Sequence, residues 1–229
     1  MELKVKKTRA PELLVRSLSA LVIMPFVIGA IILGFPYFNI MIVLCSVILF
    51  WEFFLLCDKR LSWGLVGVIY IGLSSHALIT LRAIEMMGLE TVITLFFIVW
   101  ASDTGAFVFG KLIGGKKLAP KISPNKTWSG FFGGILSAFI IGGLVAFILS
   151  KDILLYMSLI SVLIGTLSQA GDLLESWLKR RFNKKDSGSL IPGHGGLFDR
   201  VDGLLPAATA LWLGSFWFSE KSFLLWTKV

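Results

Sequence analysis

Charge is scarce in this chain. Only 16% of its 229 residues are Asp, Glu, Lys or Arg, whereas 56% are hydrophobic, and the mean hydropathy is +0.84. A water-soluble domain of this length needs far more polar surface, so the composition excludes one and points to an integral membrane protein. Cysteine is nearly absent. Cys45 and Cys57 fall in one apolar run and read as small buried hydrophobes, not as a disulfide or metal pair. At the N-terminus a first transmembrane helix is the main reading and a cleavable leader the lesser alternative. Lys4–Arg9 precede an apolar run, but Leu18–Phe35 is long enough to span and no small-x-small cleavage site follows it. There is no strict internal repeat. The net charge of +8 does not imply a nucleic-acid partner, because the basic residues sit in short segments between apolar runs. Topology signals and lipid-headgroup contacts are expected there.

Apolar runs are what the chain has in abundance. A helix rising 1.5 Å per residue needs about 20 mostly apolar residues to cross a hydrocarbon core of roughly 30 Å. Seven segments meet that need: 13–34, 37–57, 62–81, 89–110, 128–150, 153–178 and 204–226. The predicted fold is therefore all-α, a polytopic membrane protein with about seven transmembrane helices. Lys and Arg orient it. With the N-terminus in the cytosol, 18 of the 22 basic residues fall on the inner side, leaving only Arg82, Lys151, Lys221 and Lys228 outside. That is the positive-inside bias. Two long polar segments, 111–127 and 179–203, then share the cytosolic face, each after a helix with an aspartate near its inner end. Residues 1–99 are expected to anchor the protein and to carry any homodimer contacts, with residues 100–229, which hold both polar segments, forming the region of the candidate site.

The acids are not spread evenly. Asp172, Glu175, Asp186, Asp199 and Asp202 lie between Gln169 and Asp202, among Lys179, Arg180, Arg181, Lys184, Lys185 and Arg200. An aspartate at the bilayer centre costs about 2.5–3.5 kcal/mol on insertion scales, so Asp103 and Asp172 read as lining a hydrated cleft. The plainer alternative is that each pairs with a nearby base. Ser168, Asp172, Glu175, Ser176 and Lys179 recur at spacings of three and four, one polar stripe on a helix. Asp199 and Asp202 share a face if the chain is helical from Leu197. Carboxylates from two separate segments suit Mg²⁺, which takes one or two protein oxygens and completes its shell with water and phosphate. An exposed salt-bridge network would also use these charges. It does not account for Gly193, His194, Gly195 and Gly196 directly before Asp199, a run that permits positive φ and close backbone approach to phosphate.

Other candidates divide more simply. Gly110–Lys117 matches G-x4-G-K, yet Lys117 stands where a P-loop needs Ser or Thr, and the segment follows a helix rather than a strand. It is not a P-loop. Lys126 and Thr127 stand at the start of the fifth helix, whose N-terminus favours an anion. Between its glycines, His194 reads as shaping the loop or bonding phosphate rather than as a general base. His76 reads as an interior residue, and Glu52 as a structural residue meeting a helix partner.

The central stretch resembles the signature of the phosphatidate cytidylyltransferases, also called CDP-diacylglycerol synthases. Ser176, Lys179, Arg180, Lys185, Asp186, Gly188, Ile191, Pro192, His194, Gly195, Gly196, Asp199, Arg200 and Asp202 fit that signature, which spans 27 consecutive positions here without a gap. Ser168–Asp172 and the segment around Asp103 are similar as well. Asn125 stands where the family usually has lysine, Ser129 where it often has glutamate and Phe107 where tyrosine is common. The N-terminal half is also shorter than in typical members by about two spans.

The resemblance implies transfer of the cytidylyl group of CTP to phosphatidate, with Mg²⁺ and room for a second cation. It implies Asp172 and Asp199 as metal ligands, with Asp103, Glu175 and Asp202 as supporting or additional ligands, and Asp172, Asp199, Asp202, Lys185 and Arg200 as catalytic. Substrate contacts would come from Asp103, Lys126, Thr127, Glu175, Ser176, Lys179, Arg180, Asp186, His194, Gly195 and Gly196. It also implies a bacterial inner membrane, with the site facing the cytosol. Two alternatives stay open at this point. One is a CTP-dependent polyprenol or dolichol kinase, moving the γ-phosphate to an alcohol, and the other is a transporter or anion channel. CDP-alcohol phosphotransferases fit poorly, because their D-G-x2-A-R spacing is absent.

Overall fold

A computed structural model describes residues 9–85, 87–149, 153–188 and 195–217, with side chains from Leu21 onward. The described chain is all-α in architecture. Its helices are α1 (Arg9–Leu33), α2 (Tyr37–Leu56), α3 (Leu61–Arg82), α4 (Gly88–Leu112), α5 (Trp128–Leu149), α6 (Leu154–Arg181), α7 (Phe198–Val201) and α8 (Leu204–Trp217). Between α4 and α5 lie two short strands, β1 (Lys117–Ala119) and β2 (Ser123–Thr127). The helix breaks follow from local chemistry. Gly114 and Gly115 end α4 with φ of +65° and +95°, left-handed conformations that only glycine adopts freely.

Helices α2 to α6 are each long and apolar enough to cross a membrane, while α1 and α8 add the shorter apolar stretches Leu21–Leu33 and Leu204–Phe216. The last predicted segment ran to residue 226, and its end lies outside the described residues. Val47, Leu65, Ile69 and Ile148 are 60–73% exposed on the outer faces of α2, α3 and α5. In water such faces would aggregate, whereas lipid tails cover them without cost.

Inside the bundle, Phe38, Leu78, Leu81, Leu95, Ile98 and Leu211 form a core shared by α2, α3, α4 and α8. A second cluster, with Leu56, Ile71, Leu178, Phe198 and Leu205, ties α2 and α3 to α6 and α7. In lipid no hydrophobic force drives helices together, so close backbone approach between small residues does much of that work. A Cβ on Gly130 would lie 2.6 Å from the Ala106 carbonyl oxygen, and one on Gly134 2.7 Å from that of Ser102. Helices α4 and α5 can pack as they do only because those side chains are missing.

The polar segment 111–127, expected as a loop, is more ordered than that. Strands β1 and β2 pair antiparallel, Lys117 opposite Thr127 and Ala119 opposite Ser123. A two-stranded ribbon has two free edges, which is where Pro124 can sit without costing a ladder bond. The ribbon delivers the chain to α5, where Thr127 Oγ1 accepts the Gly130 N–H at 3.1 Å, an N-cap that satisfies one orphan donor of the helix.

Candidate active site

The two polar segments meet. Residues from the ends of α4 and α6, from β2, from the start of α5 and from α7 enclose one cavity of about 750 Å³. Asp103, Lys126, Thr127, Asp172, Glu175 and Lys179 line it, as do Asp186, Asp199, Arg200 and Asp202. Ten residues singled out from the sequence thus share a chamber, although they span a hundred positions of chain.

How α6 reaches the α7–α8 corner is a matter of two glycines. A Cβ on Gly171 would collide with the Asp202 carbonyl oxygen and with Pro206, and one on Gly203 with the Ser168 hydroxyl. The backbones therefore cross at near-minimal separation, and the residues beside the crossing, Asp172 and Asp202, are brought together. With Glu175, one helical turn on from Asp172, they offer carboxylate oxygens that all lie within 4.8 Å of one another. Among the described residues this is the group with the donor number and spacing to hold a cation. Glu175 is 3% exposed and its Oε1 has no hydrogen-bond partner, whereas Oε2 meets Lys179 Nζ at 2.8 Å. A buried carboxylate oxygen with no partner costs free energy unless something positive reaches it.

Asp199, expected as a metal ligand, stands outside that group and is engaged on both oxygens. Its Oδ1 accepts from Lys179 Nζ at 2.7 Å. Its Oδ2 accepts from the Ser187 N–H at 3.1 Å, the Ser187 hydroxyl at 2.9 Å and the Gly196 N–H at 3.0 Å. Burial alone would raise this carboxyl. The Lys179 ammonium, by hydrogen bond and by charge, and the Gly196 amide outweigh burial and hold the group below the usual carboxylate range. To reach a cation, Asp199 would have to release one of these partners. Asp202 goes the other way: burial first, then the charges of Asp172 and Asp103, push its carboxyl up to about 7.

The basic residues are arranged around these acids. Lys126 Nζ lies 2.5 Å from Asp172 Oδ2, and Lys179 bridges Glu175 and Asp199. Arg200 is on the chamber wall. Ser176 Oγ reaches Asp172 Oδ1 at 3.4 Å. Arg180 is not among the residues that line the chamber; it donates to the Ile122 and Lys184 carbonyls at 3.3 Å and so ties the end of α6 to the ribbon. Lys185 is exposed. Gly195 adopts φ +83° and packs with Gly196 beside Asp199, while His194 lies outside the described residues.

One residue was underrated from the sequence. Glu52, 5% exposed near the end of α2, accepts the Leu197 N–H at 3.0 Å on Oε1 and the Phe198 N–H at 2.8 Å on Oε2. It does meet a helix partner, but that partner is the backbone that starts α7. Gly188 and Gly196 make room for it, since a Cβ on either would stand 2.7–2.8 Å from a Glu52 oxygen. Lys184, just beyond α6, ties that helix to the end of α2 by pairing with Asp58 at 3.0 Å and donating to the Leu55 carbonyl. A carboxylate in a span with no other charge was the available signal. Gln169, which lines the chamber and donates to the Phe131 carbonyl at 3.2 Å, left no such mark.

Comparison with known proteins places this chamber in context. The model of a family described as the cytidylyltransferase family matches residues 59–218. A phosphatidate cytidylyltransferase of Brucella suis is 46% identical over 159 residues, 69% of this chain and 59% of that protein. One from Rickettsia bellii is 37% identical over 213 residues, 90% of this chain and 92% of the relative. One from Bacillus subtilis is 38% identical over 170 residues, 72% and 63% of the two chains. The match to the Brucella protein thus spans less than two thirds of that protein's length.

Proposed function

The chain belongs to the cytidylyltransferase family, and on that premise we propose that it transfers the cytidylyl group of CTP to phosphatidate, giving CDP-diacylglycerol and pyrophosphate. The observation that carries this reading is the carboxylate group of Asp172, Glu175 and Asp202, with its unpartnered buried oxygen, inside a chamber also walled by Lys126, Lys179 and Arg200.

Those residues fit Mg²⁺. The donors are hard carboxylate oxygens, and the unpartnered Glu175 Oε1 is an acceptor in want of positive charge. Asp172, with Glu175 and Asp202, would hold it, and when bound it neutralises phosphate charge and polarises a phosphoryl oxygen. In the transfer itself an oxygen of the lipid phosphate attacks the α-phosphorus of CTP. The bond from that phosphorus to the bridging oxygen breaks, and its electrons leave with pyrophosphate. A phosphate oxygen at neutral pH needs no base to become nucleophilic, so the protein's part is to bring two polyanions together and stabilise the departing charge.

Lys126 and Arg200 are placed to meet phosphate, with Lys126 at the mouth of α5, whose N-terminus adds partial positive charge. Lys179, clamped between Glu175 and Asp199, sets the distance between α6 and the α7 loop. Asp199 then acts by holding that loop closed through Ser187 and Gly196, and Arg180 and Thr127 by fixing the helix ends. Asp186 stands at the chamber wall, and Lys185, exposed beside it, is available to incoming phosphate.

The proposed setting is a bacterial inner membrane. Five spans are supported by helix length and composition, and α1 and α8 would complete seven, with the N-terminus and the chamber on the cytosolic side that the basic residues favour. Residues 1–99 would anchor the protein and carry homodimer contacts, with the amendment that Glu52 also reaches the α7 loop. The test is a turnover assay with phosphatidate and CTP labelled at the α-phosphate, with and without Mg²⁺. Mg²⁺-dependent label in the lipid supports the proposal. Label recovered as CDP, with an alcohol phosphorylated instead, overturns it in favour of a kinase.

A further inference from the structure

A second cavity lies on the other side of α7. It holds about 300 Å³ between α1, α2, α3, α4 and α8, and Met41, Cys45, Leu49, Leu78 and Leu204 are among its walls. The lining is apolar almost throughout. Its two serines are already paired, Ser46 Oγ with Ser75 Oγ at 2.6 Å and with the Ile42 carbonyl at 2.6 Å, so they present little to a polar guest. Water has too few partners there to be stable, and the natural occupant is hydrocarbon. Ile23 and Trp100, each 41% exposed, stand at its edge, so the cavity is reached from the surface that lipid covers.

One charged residue joins this cavity to the other. Arg200 contributes to the walls of both, and among the residues lining the apolar cavity it is the one that carries charge. A ligand that has an anionic head and a long apolar tail matches such a pair of spaces. The head lies with the carboxylates and bases of the polar chamber, and the tail lies beyond Arg200. We propose that the apolar cavity houses one acyl chain of the lipid substrate, with Arg200 marking the boundary between phosphate and hydrocarbon. This rests on the reading that the polar chamber binds phosphatidate. The cavity wall on α2 runs from Met41 to Leu49, about 12 Å of helix, so it would hold part of a chain and leave the remainder in the bilayer.

The test uses the intact protein and a phosphatidate bearing a diazirine midway along one acyl chain. Photolabel should fall on α2 between Met41 and Leu49, on Ser75–Leu78, or on Leu204–Leu205, and an excess of unlabelled phosphatidate should remove it. The variant Cys45→Phe, which fills the cavity, should raise KM for long-chain phosphatidate about tenfold. It should leave KM for CTP and KM for dihexanoyl phosphatidate near their original values. Label on the outward faces of α5 and α6, together with an unchanged lipid KM in Cys45→Phe, would overturn the inference even while turnover continues. A wild-type protein that converts no phosphatidate would refute the reaction instead. In that case the photolabel still decides whether a lipid chain occupies this cavity: competed label at α2 upholds occupancy and its absence refutes it.

Discussion

Replacing Glu52 by glutamine removes one acceptor from a buried junction while keeping its shape, and the cost can be worked from the geometry. Both carboxylate oxygens accept backbone N–H groups, from Leu197 at 3.0 Å and Phe198 at 2.8 Å. These donors belong to the start of α7, where a helix has no internal partners for them. A glutamine amide has one oxygen for two donors, and its NH₂ must face an N–H. Leaving one buried donor without a partner costs about 1–3 kcal/mol. If that cost falls wholly on the arrangement that presents Asp199 and Arg200, it converts to a loss of about 5- to 150-fold in kcat/KM. Glu52→Ala strands both donors and should do worse. The assay is CTP- and phosphatidate-dependent turnover, read beside hydrogen exchange at the amides of residues 197 and 198. Exchange at those two amides should speed up in Glu52→Gln while the amides in the middle of α2 stay protected. Wild-type turnover with unchanged exchange at both amides would show that the Glu52 junction carries no weight.

Three further outcomes are expected. Asp172→Asn and Asp202→Asn should each lower Mg²⁺-dependent turnover by more than about 100-fold, the upper end for outer-shell groups, whereas Asp199→Asn should retain ion binding and lose thermal stability, as a melting curve with and without Mg²⁺ would show. Gly171→Ala adds a Cβ that collides with the Asp202 carbonyl and meets Pro206 Cγ at 2.5 Å, so it should open the α6–α8 crossing and weaken ion binding in a direct titration, while Gly72→Ala, with open space around it, should be neutral. Because burial and the neighbouring Asp172 and Asp103 push Asp202 up to about 7, the ion must displace a proton below that pH. Apparent Mg²⁺ affinity should therefore rise between pH 6 and pH 8, by no more than about tenfold per unit for each proton displaced, as calorimetry in buffers of different ionisation heat would report.

The membrane helices were legible because their limits are written in simple chemistry. Apolar runs broken by glycine, proline or charge placed α2 to α5 within two residues of where they form. The polar stripe on α6 likewise put Asp172 and Glu175 on one face, and both line the chamber. What periodicity could not reach were contacts between segments. The ribbon of β1 and β2 depends on pairing across a tight turn within a lysine-rich stretch, where no alternation of apolar residues announces strands. The partners of Asp199 depend on Ser187, twelve positions away, and on a glycine amide whose direction no pattern encodes. Glu52 was visible as an oddity, a carboxylate in an apolar span, but its partner lies 145 residues further along. Gly171 in α6 and Gly203 in the turn before α8 were likewise unreadable, since a glycine says nothing in the sequence about which neighbour it admits.

Convergence of Asp172, Glu175 and Asp202 on a divalent ion is best tested by anomalous diffraction from crystals of the intact protein soaked in Mn²⁺, which stands in for Mg²⁺. A peak is expected about 2 Å from a carboxylate oxygen of Asp172 and within reach of Glu175 and Asp202, with Asp199 still bonded to Lys179, Ser187 and Gly196. A peak held by Asp199 and remote from Asp202, or no peak in the chamber at saturating Mn²⁺, would contradict that convergence.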